Sequence, residues 1–187
     1  LDWGTVVHKW FEDVEWLKDT PAVEVLLESV PREEAGRLGC DRLKQAAESC
    51  VKAFASSEIK ALLTEPKGNV TVCREQDFAM RISSGTQFAE VTMKELSDIH
   101  GSIDRLVIHN DEEGTPICAD VIDWKTDVFD QEELEEKISH YAPQLATYRL
   151  AAAMLLGLEV ELVTAKLVFT KTGNVIDITE KAAVLPA

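Results

Sequence analysis

Asp123 and Lys125 stand two residues apart in "ADVIDWKTD", residues 119–127. Val121, Ile122 and Trp124 are strand formers. A strand sets residues two apart on one face, so an acid and a base share one side at the end of an apolar run. A carboxylate at a strand end is a good ligand for a hard cation. A lysine beside it can hold an attacking water and offset charge building on a phosphate. The same pair is also what an exposed surface ion pair looks like. Asp104, in "GSIDRLVI", narrows the choice: it is a lone acid among Ile103, Leu106, Val107 and Ile108, and a buried acid needs a partner. Arg105 points to the opposite strand face and is a poor intrastrand partner. A salt bridge from Asp104 to it or to a nearby lysine is the alternative to a cation and phosphate site.

Further along, "HYAPQLATYRL" puts Tyr141, Gln144 and Tyr148 three and four residues apart, on one helical face. They are either half-buried rings with wet hydroxyls or a polar strip beside a site. In the second reading Gln144 hydrogen-bonds a catalytic residue or phosphate, and the tyrosines contact bases or backbone. His8 sits beside the apolar stripe of the first helix, as a structural histidine or as a neutral imidazole ligand. Glu75, in "CREQDFAM", shares a strand face with Cys73 and Asp77, either near the site or on the polar face of an edge strand. Glu75, Tyr141, Arg105 and Arg149 are the candidates for contact with substrate.

These residues need elements to hold them. Trp3, Val7, Trp10, Val14 and Leu17 form a helical stripe over residues 3–17. Short helical pieces continue to residue 63, with Pro21 and Pro31 suited to first-turn positions. From Val70 the period changes to alternation. "TQFAEVTM" reads as a second strand, and "GSIDRLVIH" and "TPICADVIDWK" read as a hairpin around "NDEEG". Asp104 lies on one arm and Asp123 on the other. Residues 131–156 read as one long helix, its first turns crowded with Glu132, Glu133, Glu135 and Glu136, closed by Gly157. "VELVTAKLVFT" and "VIDIT" are the last strands. The order gives an α/β or α+β sheet with helices packed on it. The expected organisation is one domain over 1–187: a helical part at 1–64, then a sheet core at 65–187.

The 187 residues carry 19 basic and 34 acidic side chains, a net charge of −15. That argues against a broad phosphate-binding surface, though not against a narrow cleft whose carboxylates hold cations. Cys40, Cys50, Cys73 and Cys118 show no C-x-x-C spacing, so neither a zinc ribbon nor an iron–sulfur cluster is expected. No apolar run is long enough to span a bilayer, and no membrane partner is expected. With no secretory signal, the expected location is cytoplasmic, with reduced thiols. There is no G-x-x-x-x-G-K-[ST] phosphate loop.

Taken in order, "GTVVH", "REQDF", "GSIDRLV", "DVIDWKTD" and "YAPQLATY" resemble the RecB-like nucleases of the PD-(D/E)XK superfamily, in particular the C-terminal nuclease domain of the AddA and RecB helicase–nuclease subunits. The resemblance runs over nearly the whole chain, and "LVFTKTGNVIDI" resembles that domain's final hairpin. It implies a restriction-endonuclease-like core, a mixed central sheet flanked by helices, with an N-terminal helical region. It implies that Asp104 and Asp123 ligate Mg²⁺ or Mn²⁺, with His8 a further ligand and the Trp124 backbone carbonyl completing the set. Lys125 would position the attacking water. Gln144 and Tyr148 would fall in the family's Q-x-x-x-Y motif, and Glu75 would match the acid of its E-x-x-F stretch. The four-cysteine iron–sulfur spacing of some relatives is missing. The expectation is an exonuclease in recombinational double-strand-break repair. It would act on single-stranded DNA delivered by a helicase part of the same parent chain, with an AddB-like partner subunit. An inactive nuclease-like module that guides DNA is the alternative.

Overall fold

The longest strands form where alternation is longest. In this computed structural model, which describes residues 3–185, β1 (Asn69–Ile82) and β4 (Ser97–Asn110) pair antiparallel along their whole length. Between them lie two short strands, β2 (Gln87–Phe88) and β3 (Val91–Thr92). The "TQFAEVTM" segment is therefore not one strand. Ala89 takes a left-handed φ of 51°, which breaks the extended run and folds it into a small hairpin. β4 turns through residues 111–115 into β5 (Pro116–Lys125), as expected. Asp111 Oδ1 accepts from the Glu113 and Thr115 N–H groups at 2.9 and 2.8 Å, and Gly114 supplies a left-handed φ of 86°.

Asp130 and Glu133 form a reciprocal capping box around a 3-10 turn at Gln131–Glu133. That turn opens the long helix at Leu134–Leu156. Gly157, at φ 67°, closes the helix by donating to the Ala153 carbonyl. The chain then enters β6 (Val163–Phe169) and β7 (Asn174–Asp177) and ends in β8 (Val184–Leu185), a strand the sequence pattern does not announce. The central sheet is mixed, in the order β1-β4-β5-β6-β7, and β8 joins β2 and β3 in a second sheet.

The N-terminal third is helical: α1 (Trp3–Glu12), α2 (Val23–Ser29), α3 (Arg32–Leu38), α4 (Cys40–Ala55) and α5 (Ser57–Leu63), so that the long helix is α6. The first helix is shorter than its stripe suggests. After Asp13 N bonds to Lys9 O the chain tightens, and Leu17 N is taken by Leu63 O at 2.8 Å. Pro21 and Pro31 precede their helices rather than entering them; Pro31 is the N-cap of α3. The chain divides into two units, the first comprising residues up to Glu65 with Trp124–Val128 and Val168–Val175, and the second comprising the rest. The core of the first includes Phe11, whose ring lies 4.5 Å from Phe54 and 4.9 Å from Trp124, centroid to centroid. In the second, the buried face of α6, including Ile138, Ala142, Leu145, Ala146 and Ala152, packs on β1, β2 and β8.

Candidate active site

Pairing register brings the acids together. Arg105 pairs with Ile122 and Leu106 with Val121, so one further step of that register sets Asp104 beside Asp123. On the other side, Arg74 pairs with Arg105 and Gln76 with Ile103, which brackets Glu75 opposite Asp104. Glu75, Asp104 and Asp123 thus form one transverse row across β1, β4 and β5. Asp123 is 1% exposed, and its Oδ2 atom accepts no hydrogen bond within the protein, although the residue makes other contacts. Asp104 is half-buried and Glu75 exposed. Glu75 has a φ of 50°, a conformation that costs a non-glycine residue about 1–2 kcal/mol, and it accepts a long bond from Ser102 Oγ at 3.5 Å.

Tyr148 of the helical strip lies within electrostatic reach of this row. Gln144 Nε2 donates to the Tyr148 hydroxyl oxygen at 2.7 Å. Burial first, and then the negative charges of Asp123, Asp104 and Glu75, push the Tyr148 phenol up to about 12, against the pull of the Gln144 bond. Tyr148 is therefore a protonated phenol at neutral pH, a hydrogen-bond donor in the field of all three acids. Tyr141, one heptad earlier, is half-buried and sets its ring edge-on to His140, at 4.8 Å.

In the first unit, the Trp124 ring is buried, 1% exposed. The Lys125 carbonyl accepts from the Thr170 N–H at 2.8 Å and from its hydroxyl at 3.1 Å, which pins the end of β5. The Lys125 side chain and His8 are half-buried.

Two expected substrate contacts are buried. Arg149 is 5% exposed. Its guanidinium donates to the carbonyls of Val163 (2.7 Å), Thr179 (3.0 Å), Ala182 (2.6 Å) and Val160 (2.9 Å). Four of its five N–H donors are thus spent on main-chain carbonyls, which makes it a structural clamp. Arg105, on β4 between β1 and β5, is 1% exposed. The sequence reading also missed Asp120, which gathers the Lys166 ammonium (2.6 Å), the Thr164 hydroxyl and the His109 ring (2.9 Å). Its alternation with Ala119 and Val121 is the one signal that could have found it.

The match to known proteins decides the family. The sequence model of the PD-(D/E)XK nuclease superfamily matches residues 1–184. The chain belongs to the PD-(D/E)XK nuclease superfamily. Its mixed sheet flanked by helices is consistent with the superfamily's restriction-endonuclease-like fold. This PD-(D/E)XK chain is also 28% identical over 182 residues to an ATP-dependent helicase/nuclease subunit of Limosilactobacillus fermentum. The alignment covers 92% of the chain and 13% of that relative. Nucleases of this superfamily generally use divalent metal ions. Among the described residues no three His, Cys, Asp or Glu side chains are gathered to hold a metal. The donor chemistry of the Asp104 and Asp123 pair nonetheless fits a hard cation, since both offer carboxylate oxygens from adjacent strands. Among the described residues no helix is long and apolar enough to cross a membrane.

Proposed function

We propose that this chain is a metal-dependent DNA nuclease domain that hydrolyses phosphodiester bonds as an exonuclease. The observation that carries the reading is the transverse row of Glu75, Asp104 and Asp123 in the field of which the Tyr148 phenol lies. Asp104 and Asp123 would hold Mg²⁺ or Mn²⁺. When bound, the ion supplies Lewis-acid stabilisation of the phosphate and a more acidic water. Lys125, two residues beyond Asp123 on β5, holds the attacking water in line and offsets the negative charge that builds on the phosphate. Gln144 aims the Tyr148 hydroxyl, which donates to a phosphate oxygen.

The name of the similar helicase/nuclease subunit supports a place in an ATP-dependent helicase–nuclease, and we assign that assembly to recombinational double-strand-break repair in the cytoplasm. In that setting a helicase part of the parent chain delivers single-stranded DNA, beside an AddB-like partner subunit. The net charge of −15 supports weak DNA binding by this region alone, with the helicase supplying most affinity.

The test is cleavage of labelled DNA with Mg²⁺ or Mn²⁺. Asp123→Ala and Lys125→Ala each reduce the rate by roughly 10³-fold, with unchanged circular dichroism. Activity surviving in purified Asp123→Ala protein sinks the site assignment. A native chain that binds no divalent ion and cuts no DNA is an inactive DNA-guiding module.

A further inference from the structure

The helical strip is useful to the acid row only if the Tyr148 ring is held in one place, and its hydroxyl bond to Gln144 fixes only the ring's outer end. The ring body meets Phe78 of β1. The two centroids are 5.7 Å apart and the planes stand at 77°, the edge-to-face geometry aromatic pairs favour. Phe78 is 7% exposed and lies three residues along β1 from Glu75. It pairs with Gly101 of β4, which lies three residues from Asp104. A Cβ added at Gly101 would come within 3.0 Å of Phe78 Cζ and 3.1 Å of Cε1, and within 3.8 Å of Tyr148 Cε1. The absence of a side chain at Gly101 is what lets the Phe78 ring lie across β4 and reach the helix.

We propose that Phe78, seated over Gly101, is a positioning residue that holds the Tyr148 phenol against the Glu75, Asp104 and Asp123 row. The proposal rests on the reading of Tyr148 as part of the nuclease site. Phe78 touches no reacting atom. It acts through Tyr148, so its loss changes turnover more than binding of the cation or of DNA.

The chain has two tyrosines, Tyr141 and Tyr148, so incorporation of 3-fluorotyrosine gives two fluorine resonances, assigned with Tyr141→Phe. In Phe78→Leu the Tyr148 resonance shifts as the neighbouring ring is lost, and the Tyr141 resonance stays. Over the same variant kcat for DNA cleavage falls roughly 10- to 100-fold, while KM and the Mn²⁺ dissociation constant stay within twofold. Gly101→Ala, which displaces the ring, lowers kcat in the native background. It adds nothing in the Phe78→Leu background, where the smaller side chain leaves room, and that non-additivity marks a shared route. If Phe78→Leu fails to melt cooperatively, Gly101→Ala carries the same two readouts. A shifted Tyr148 resonance with native kcat overturns the positioning role, as does an unmoved resonance. Tyr148→Phe separates the two readings. Native kcat there removes Tyr148 from the site, and the proposal falls with it. A loss there that Phe78→Leu does not share overturns the positioning role alone.

Discussion

Asp120 shows how one side chain's surroundings decide its behaviour. Its half-buried carboxylate accepts from Lys166, Thr164 and His109. Burial pushes its pKa up, but those hydrogen bonds together outweigh it, and the group ionises below the ordinary value of 3.8. A depressed folded-state value stabilises the protein above the unfolded pKa, and that contribution is lost as pH falls through the folded value. Melting temperature measured as pH falls from about 5 to about 2 will therefore drop less steeply in Asp120→Asn than in the native protein. An unchanged slope would mean the network contributes nothing. Asp123 and Asp104 were legible as candidates from Asp-x-Lys and from a lone acid in an apolar strand, but neither spacing could say that Glu75 falls in line with them. That alignment is a product of the register between three strands. Arg149 was misread because a cation near the end of a helix looks the same in sequence whether it faces phosphate or four main-chain carbonyls.

At the scale of elements, α6 is tied down by Arg149. Its four bonds reach Val160, Val163, Thr179 and Ala182, which joins the helix to the segment before β6, to β6 itself and to the chain leading into β8. Arg149→Leu leaves buried carbonyls without donors, at a cost of about 3 kcal/mol or more. Urea unfolding will show it as a lower midpoint with a similar slope. A loss below about 0.5 kcal/mol would mean that water replaces the guanidinium. The turn between β6 and β7 is held as firmly, by a different device. Gly173 has a φ of 78°, and an added Cβ would stand 3.1 Å from that of Ser56. Ser56 both caps α5 through Ile59 N and donates to the Gly173 carbonyl at 3.3 Å. The long elements were readable because their periodicity is long: β1, β4, β5 and α6 all emerged from pattern alone. The short strands β2, β3 and β8 span two residues each, too few for any period to show. They exist because they pair with one another and because β2 and β8 pack against α6.

The whole molecule carries a charge of −15 and concentrates three acids in one row. Self-repulsion is relieved by screening, so the melting temperature rises as salt increases from about 0.01 M to about 0.15 M. Mg²⁺ at matched ionic strength adds a further rise by binding only the folded chain, about 2.7 kcal/mol at a hundredfold excess over its dissociation constant. Asp123→Asn abolishes the second effect and keeps the first. If the Mg²⁺ increment persists in that variant, the ion binds elsewhere. The sequence by itself determined the order of the main elements, the family and most of the chemistry-bearing residue types, because hydrophobic period and motif spacing are local properties of the chain. Only the tertiary structure decided which of those residues meet. Strand register set Glu75 in line with Asp104 and Asp123, burial turned Arg105 and Arg149 inward, and Gly101 let Phe78 reach Tyr148. Each of these depends on partners far apart in sequence, whose pairing and packing no local pattern encodes.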